Sequence, residues 1–222
     1  MTPTLLELQN VSYSYPGGAT VVQDMNLQVQ KNDLIVIKGE SGAGKSTILK
    51  LLNRFCDYTE GKILFNNREL KDFRIEELRS SLIYLPQIPV MIEGTIEENI
   101  TFPFNFNAHK GKKFDRVNSL KWLDFFRLDL PLQADAHKLS IGQKQRIALI
   151  RSMILMPQVL LLDEPVASLD KKNRQIIEQK IESLTRTSGV TVIMVTHGDV
   201  SSSFSDCRLF EVKDKGLSEV RN

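Results

Sequence analysis

The stretch Gly39-Glu40-Ser41-Gly42-Ala43-Gly44-Lys45-Ser46 has the spacing G-x-x-x-x-G-K-[ST]. These residue types suit one chemistry. Glycines let the backbone wrap closely around anionic oxygens, so that successive N–H groups and a following helix N-terminus converge on phosphates. Lys45 then supplies a point charge to the β- and γ-phosphates, and the Ser46 hydroxyl can ligate a bridging Mg²⁺. A second element, Asp163-Glu164, follows the aliphatic run 159–162. Two carboxylates at the end of a buried strand lie where open α/β sheets place their ligands. Asp163 is expected to hold Mg²⁺ through its water shell, and Glu164 to polarise an attacking water. Together the two elements predict hydrolysis of a nucleoside triphosphate.

Such residues need a scaffold that brings strand ends together. Residues 34–37 are continuously aliphatic and bounded by turn residues, as a strand buried on both faces would be, and the runs 159–162 and 190–195 read the same way. Helical patterns at 47–54, 145–155 and 173–184 alternate with them. Buried strands alternating with helices predict a parallel sheet in an α/β core. Residues 5–37 begin as short alternating runs broken at Pro16-Gly17-Gly18 and Lys31-Asn32-Asp33, which read as strands joined by turns. Over about 90–140 the strand signal fades, and a helical subdomain inserted at about 90–150 is expected. Its helix 114–126 is expected to set Phe114, Val117, Leu120 and Leu123 on one side, with Trp122, Phe125 and Phe126 in the core. The polar tail after about 200 carries no clear element signal.

At 222 residues, 41% hydrophobic and 25% charged, the composition is that of one globular domain over 1–222. A net charge of +2 with scattered Lys and Arg gives no nucleic-acid footprint, so no nucleic-acid partner is expected. Cys56 and Cys207 are far apart, which argues against a disulfide framework and suits a reducing compartment. The chain start lacks a secretory pattern, and no run approaches the ~18 apolar residues needed to span a bilayer. A cytoplasmic protein is expected, one that meets a membrane only through a partner.

Leu139-Ser140-Ile141-Gly142-Gln143-Lys144-Gln145-Arg146 resembles the L-S-G-G-Q-x-Q-R signature of ATP-binding cassette proteins, a mark that separates them from other P-loop ATPases. Gln87 at the glutamine-loop position, Ser168-Leu169-Asp170 after the acidic pair, and His197 after the strand 190–195 complete the pattern, which covers essentially the whole chain. The resemblance implies an α/β P-loop core with a parallel sheet, an N-terminal antiparallel β subdomain and an inserted α-helical subdomain. It implies ATP held by Gly39, Ser41, Gly42, Ala43, Gly44, Lys45, Ser46 and Thr47, and Mg²⁺ held by Ser46, Gln87 and Asp163. Catalysis falls to Glu164, His197, Gln87 and Lys45. Tyr15 resembles the aromatic that stacks on adenine; period-two spacing puts Tyr13 on the same face, so Tyr13 remains its competitor. In this family two cassettes dimerise around ATP, and the signature residues Ser140, Gly142 and Gln143 of one subunit cover the nucleotide of the other.

Two features qualify the match. Ser140 and Gln143 also fit the S-x-x-Q capping box, so the signature reads equally as an ordinary helix start. Ile141 stands where the signature usually has glycine; a β-branched side chain resists positive φ, so an ordinary backbone conformation is expected there. Single-cassette architecture, without an interrupting coiled coil or a second cassette, favours a transporter subunit working with a separate integral-membrane permease. A soluble regulatory or repair-type cassette is the alternative. The permease-contact surface of the family corresponds to Ile88-Pro89-Val90-Met91-Ile92 and onward to Phe106, although internal packing would look the same in sequence. Residues 93–103 and 147–164 are similar to ATP-binding subunits of bacterial iron-export transporters of the FetA/YbbL type. An ATPase subunit does not touch the cargo, so phosphate and amino-acid importers stay open.

Overall fold

The computed structural model describes residues 4–109, 111, 113–197 and 204–220. Strands β1 (Thr4–Ser14) and β2 (Thr20–Gln30) form an antiparallel hairpin, and β4 (Glu60–Phe65) and β5 (Arg68–Glu69) extend it into a four-stranded sheet ordered β2-β1-β4-β5. Asn66 and Asn67 turn β4 into β5 with φ of 50° and 63°, the left-handed pair that a tight hairpin turn requires.

The larger sheet is ordered β10-β9-β3-β8-β7-β6. Its strands are β3 (Leu34–Gly39), β6 (Leu82–Leu85), β7 (Val159–Asp163), β8 (Thr191–Thr196), β9 (Arg208–Lys213) and β10 (Gly216–Val220). All neighbours are parallel except β9 and β10, an antiparallel hairpin at the edge. The expected parallel α/β core and N-terminal antiparallel β layer are both present. Every residue of β7 and β8 is buried, because helices or the second sheet cover both faces. Alternate residues divide the core accordingly. Val36, Leu160, Leu162, Val192 and Met194 face a helical layer, while Ile35, Ile37, Leu161, Ile193 and Val195 face helix α1 (Lys45–Leu52) and the antiparallel sheet.

The helical layer comprises α3 (Ile96–Thr101), α4 (Arg116–Phe125), α5 (Ile141–Met153) and α6 (Lys171–Thr187), while the short α2 (Ile75–Ser81) leads into β6. A Thr95–Glu98 capping box starts α3. Just beyond it the fully buried Asn99 donates to the carbonyls of Ile92 and Thr95 and accepts from the Ile92 amide, pinning the loop that precedes the helix.

Two expectations need correction, and one open alternative is decided. Helix α4 does not bury Val117 and Leu120, which are 63% and 50% exposed; its inner face is Ser119 and Leu123, continued by Phe126 just beyond its end. The spacing i, i+4, i+7 is helical, but the small polar Ser119 stands on the buried face and hides it from a search for apolar residues. The tail is not featureless either: β9 pairs with β3, and β10 folds back on β9 through Asp214 and Lys215, both at positive φ. Residues 200–203 and 221–222 of that tail lie outside the described residues. Finally, Ile88 and Val90 are 76% and 64% exposed, so these two do not pack internally.

The α4 register yields a stability test. Phe126→Ala should cost about 3–5 kcal/mol of unfolding free energy as a large core side chain is lost. Val117→Ala should stay within about 0.5 kcal/mol; urea denaturation of the two variants checks the contrast.

Candidate nucleotide site

Strand β3 ends at Gly39, and the chain turns through residues 40–44 before entering α1. Gly39, Gly42 and Gly44 all have positive φ. At Gly44 (φ +99°) a Cβ would come within 2.9 Å of Val22 Cγ1, so a left-handed backbone and a close approach to β2 coincide there. Ser41 and Gly42 are exposed, Ala43 is half-buried, and Thr47 is buried on α1. Lys45, at the first turn of α1, is only 4% exposed. Its ammonium donates to the carbonyls of Gly39 and Glu40 at 2.8 and 2.7 Å and lies 3.1 Å from His197 Nδ1. Burial lowers the Lys45 pKa, and the carboxylates of Glu164 and Asp163 oppose that shift.

The parallel register delivers the remaining groups. Asp163 ends β7 beside Val195 of β8, and His197 follows the end of β8. Ser46 Oγ donates to Asp163 Oδ1 at 2.8 Å, and the Tyr84 hydroxyl donates to Oδ2, also at 2.8 Å. Burial, followed by the bond to Asp163, pushes the Tyr84 phenol well above its ordinary range, so it stays protonated as a donor. Glu164 holds φ at +48°, where non-glycine residues are uncommon and carry strain. Gln87 Nε2 donates to Glu164 Oε2 at 2.9 Å, and His197 Nε2 pairs with Oε1. Because a lysine ammonium can only donate, Nδ1 of His197 is the acceptor in this arrangement, and Nε2 carries the proton toward Glu164.

A cleft of about 820 Å³ opens over the loop, lined by Gly39–Ala43, Thr20 and Val21 of β2, Glu211–Lys215 of the edge hairpin, and Tyr15. Of the two tyrosines, Tyr15 lines the cleft and is 54% exposed, whereas Tyr13 is 7% exposed and packs edge-to-face against the Tyr15 ring. The structure thus gathers Tyr15, Gly39–Thr47, Gln87, Asp163, Glu164 and His197 around one loop. Ser140, Gly142 and Gln143 share no hydrogen bond with this group. They begin α5, where Ser140 Oγ accepts from the Gln143 amide and Gln143 Oε1 accepts from the Ser140 amide, a complete capping box. Ile141 is exposed and helical, the ordinary backbone conformation expected of a β-branched residue that resists positive φ. Gly142 lies against Leu169: a Cβ there would meet Leu169 Cδ2 at 2.7 Å.

Sequence reasoning missed Tyr84 and the hairpin residues 211–215. A lone tyrosine in a short strand has no spacing signal, and a polar edge hairpin resembles a loop. The consecutive pair Asp214-Lys215 followed by Gly216 was the one available hint of a tight turn.

The family described as ABC transporter matches residues 22–167. The chain is 34% identical over 194 residues to the probable iron export ATP-binding protein FetA of Escherichia coli, covering 87% of this chain and 84% of that protein. Among solved structures, cbiO1 of Clostridium perfringens, part of the ABC transporter complex cbiONQ, superposes with a TM-score of 0.84 at 25% identity, covering 97% of this chain and 87% of that one. A bacterial Atm1-family ABC exporter with ATP bound also gives 0.84 at 27% identity, over 99% of this chain but only 39% of the exporter.

The loop glycines give a test of local geometry. Gly42→Ala, with open space at its Cβ, should cost about 1 kcal/mol of backbone strain. Gly44→Ala adds the collision with β2 and should lose about 3 kcal/mol. Chemical denaturation should rank the two in that order.

Proposed function

Because this chain belongs to the ABC transporter family, whose nucleotide-binding subunits hydrolyse ATP, we propose that it dimerises around two ATP molecules and drives a separate membrane permease. The observation that carries the reading is the convergence of Lys45, Ser46, Asp163, Glu164, Gln87 and His197 on one glycine loop. We read the chain as one nucleotide-binding unit over 1–222, with a helical segment inserted at about 90–150. Phosphates would take the loop amides, the N-terminus of α1 and the Lys45 ammonium, releasing that ammonium from its own loop carbonyls. Tyr15, exposed in the same cleft, offers its ring to adenine.

Ser46 and Asp163 supply hard oxygen donors in direct contact, which suits Mg²⁺, an ion usually held by one or two protein groups plus substrate phosphates. Gln87 is the further candidate ligand, through its amide oxygen. Bound there, Mg²⁺ would neutralise charge on the β- and γ-phosphate oxygens. Glu164 is the group that orients water and accepts its proton. Gln87 Nε2 and His197 Nε2 hold one Glu164 oxygen each, and each oxygen keeps a second lone pair with which to take a water proton. His197 Nε2, on turning from Oε1, would donate to a γ-phosphate oxygen.

Ser140, Gly142 and Gln143 begin α5 and share no hydrogen bond with Lys45, Ser46, Asp163 or Glu164, and we assign them to the partner's nucleotide, toward which a helix N-terminus would offer positive polarity. The Ser140 hydroxyl accepts within its capping box and keeps its proton for donation outward. No helix among the described residues is long and apolar enough to cross a membrane, so attachment to the inner face of the cell membrane would run through the permease. The exposed Ile88 and Val90 are the proposed contact. Similarity to FetA supports iron export as the process served.

Lys45→Ala is expected to lower ATP turnover at least about a hundredfold, since it removes a preorganised donor to the phosphates. Glu164→Gln should lose about 10²–10⁴-fold in turnover while retaining ATP and persisting as a dimer in gel filtration with Mg·ATP. Near-normal hydrolysis by Lys45→Ala would refute the site, and a Glu164→Gln chain that stays monomeric would refute the closure.

Tyr15→Ala should weaken ATP binding by about 1–3 kcal/mol with little change in melting temperature. Tyr13→Ala should instead destabilise the fold by about 3–5 kcal/mol. Nucleotide titration and thermal melting on both variants separate ligand stacking from packing.

A further inference from the structure

We propose that Tyr84 is a positioning residue for the metal-facing carboxylate, its phenol hydroxyl fixing one Asp163 oxygen while the other is left to Ser46 and the ion. This rests on the reading of Asp163 as the Mg²⁺-holding group. Asp163 is 5% exposed, and each of its two oxygens takes one hydroxyl donor, Ser46 Oγ and Tyr84 OH, both at 2.8 Å. The two donors are not equivalent. Ser46 is itself a candidate metal ligand, so its hydroxyl must be shared when the ion arrives, whereas the Tyr84 hydroxyl bonds to no other group among the described residues and remains the fixed anchor.

The fold aims the phenol at this oxygen. Tyr84 pairs with Leu161 across the parallel β6–β7 ladder, and Asp163 stands two residues beyond Leu161, on the same face. A side chain as long as tyrosine spans that diagonal. The ring is also kept in place from behind: Phe55 meets it edge-to-face at 5.5 Å, and the Arg79 guanidinium lies 4.3 Å over the Phe55 ring. Arg79 is tied in turn to the carbonyls of Asn53 and Arg54 just beyond the end of α1. The same helix that presents Ser46 at its start therefore braces the support of Tyr84 at its end. Outer partners of this kind typically change metal affinity by 10–100-fold when removed.

The test uses the full chain carrying Glu164→Gln, so that nucleotide is not consumed, and a fluorescent trinitrophenyl ATP analogue titrated with Mg²⁺. Adding Tyr84→Phe should leave binding in EDTA within about twofold but raise the Mg²⁺ concentration for half-maximal enhancement about tenfold or more. Tyr84→Met, which also lacks the hydroxyl, should shift it in the same direction. An unchanged Mg²⁺ midpoint in Tyr84→Phe, beside a shifted midpoint in Asp163→Asn, overturns the proposal, and so does a lower melting temperature with an unchanged midpoint. If Asp163→Asn also leaves the midpoint in place, the reading of Asp163 itself falls.

Discussion

An ammonium group placed almost wholly out of water at the edge of a parallel sheet is the constraint around which this structure is arranged. Lys45 is 4% exposed, and an uncompensated charge there would be costly. The chain offsets it with the carbonyls of Gly39 and Glu40, His197 Nδ1, and the nearby Glu164 and Asp163. Those same carboxylates would otherwise be buried charges, and they are covered by Ser46, Tyr84, Gln87 and His197. The site's polar groups thus form a closed set of partners, and an anionic ligand would enter by replacing members of that set, the carbonyls on Lys45 first.

Strand register makes the closed set possible. β3, β7 and β8 run parallel and adjacent in the order β3-β8-β7, so Gly39, Asp163 and Thr196 all terminate at one edge of the sheet. Period-two alternation then sorts side chains, sending Leu161, Ile193 and Ile37 beneath α1 and their neighbours into the helical layer. Because Asp163 shares the face of Leu161, it is aimed at α1 and hence at Ser46. A slip of one residue in the β7 register would point Asp163 to the other face.

The same physics explains what could be read from sequence. The aliphatic runs at 34–37, 159–162 and 190–195 are strands because burial on both faces removes any polar position from them, and that pattern is local. The glycine loop was equally legible, since its φ values demand its residue types. Tyr84 was not: its role arises from a neighbour 79 positions away across a ladder. Ser119 misled the α4 register, because helix burial follows geometry and a small polar residue fits where an apolar one was sought. Tyr13 and Tyr15 could not be separated by period, and only the packing of the hairpin shows which ring is covered.

Under the proposed function, the exposed loop after β6 acquires a mechanical meaning from its tethers. At one end Gln87 holds Glu164; at Val90 the carbonyl accepts from Arg151 Nη2 at 2.7 Å; at Ile92 the backbone is clasped by buried Asn99. Arg151 lies near the C-terminal end of α5, whose N-terminal cap is Ser140, and Gly142 in its first turn abuts Leu169 a few residues beyond Glu164. Ile88 and Val90 therefore stand between a hydrogen bond to the hydrolytic carboxylate and one to the helix that carries the signature. A rigid helix transmits displacement along its axis with little loss. Movement of a partner seated on Ile88 and Val90 would thus act on both halves of the shared site at once, the water-orienting group of this subunit and the signature offered to the other, and by thermodynamic reciprocity closure on ATP must act back on that partner.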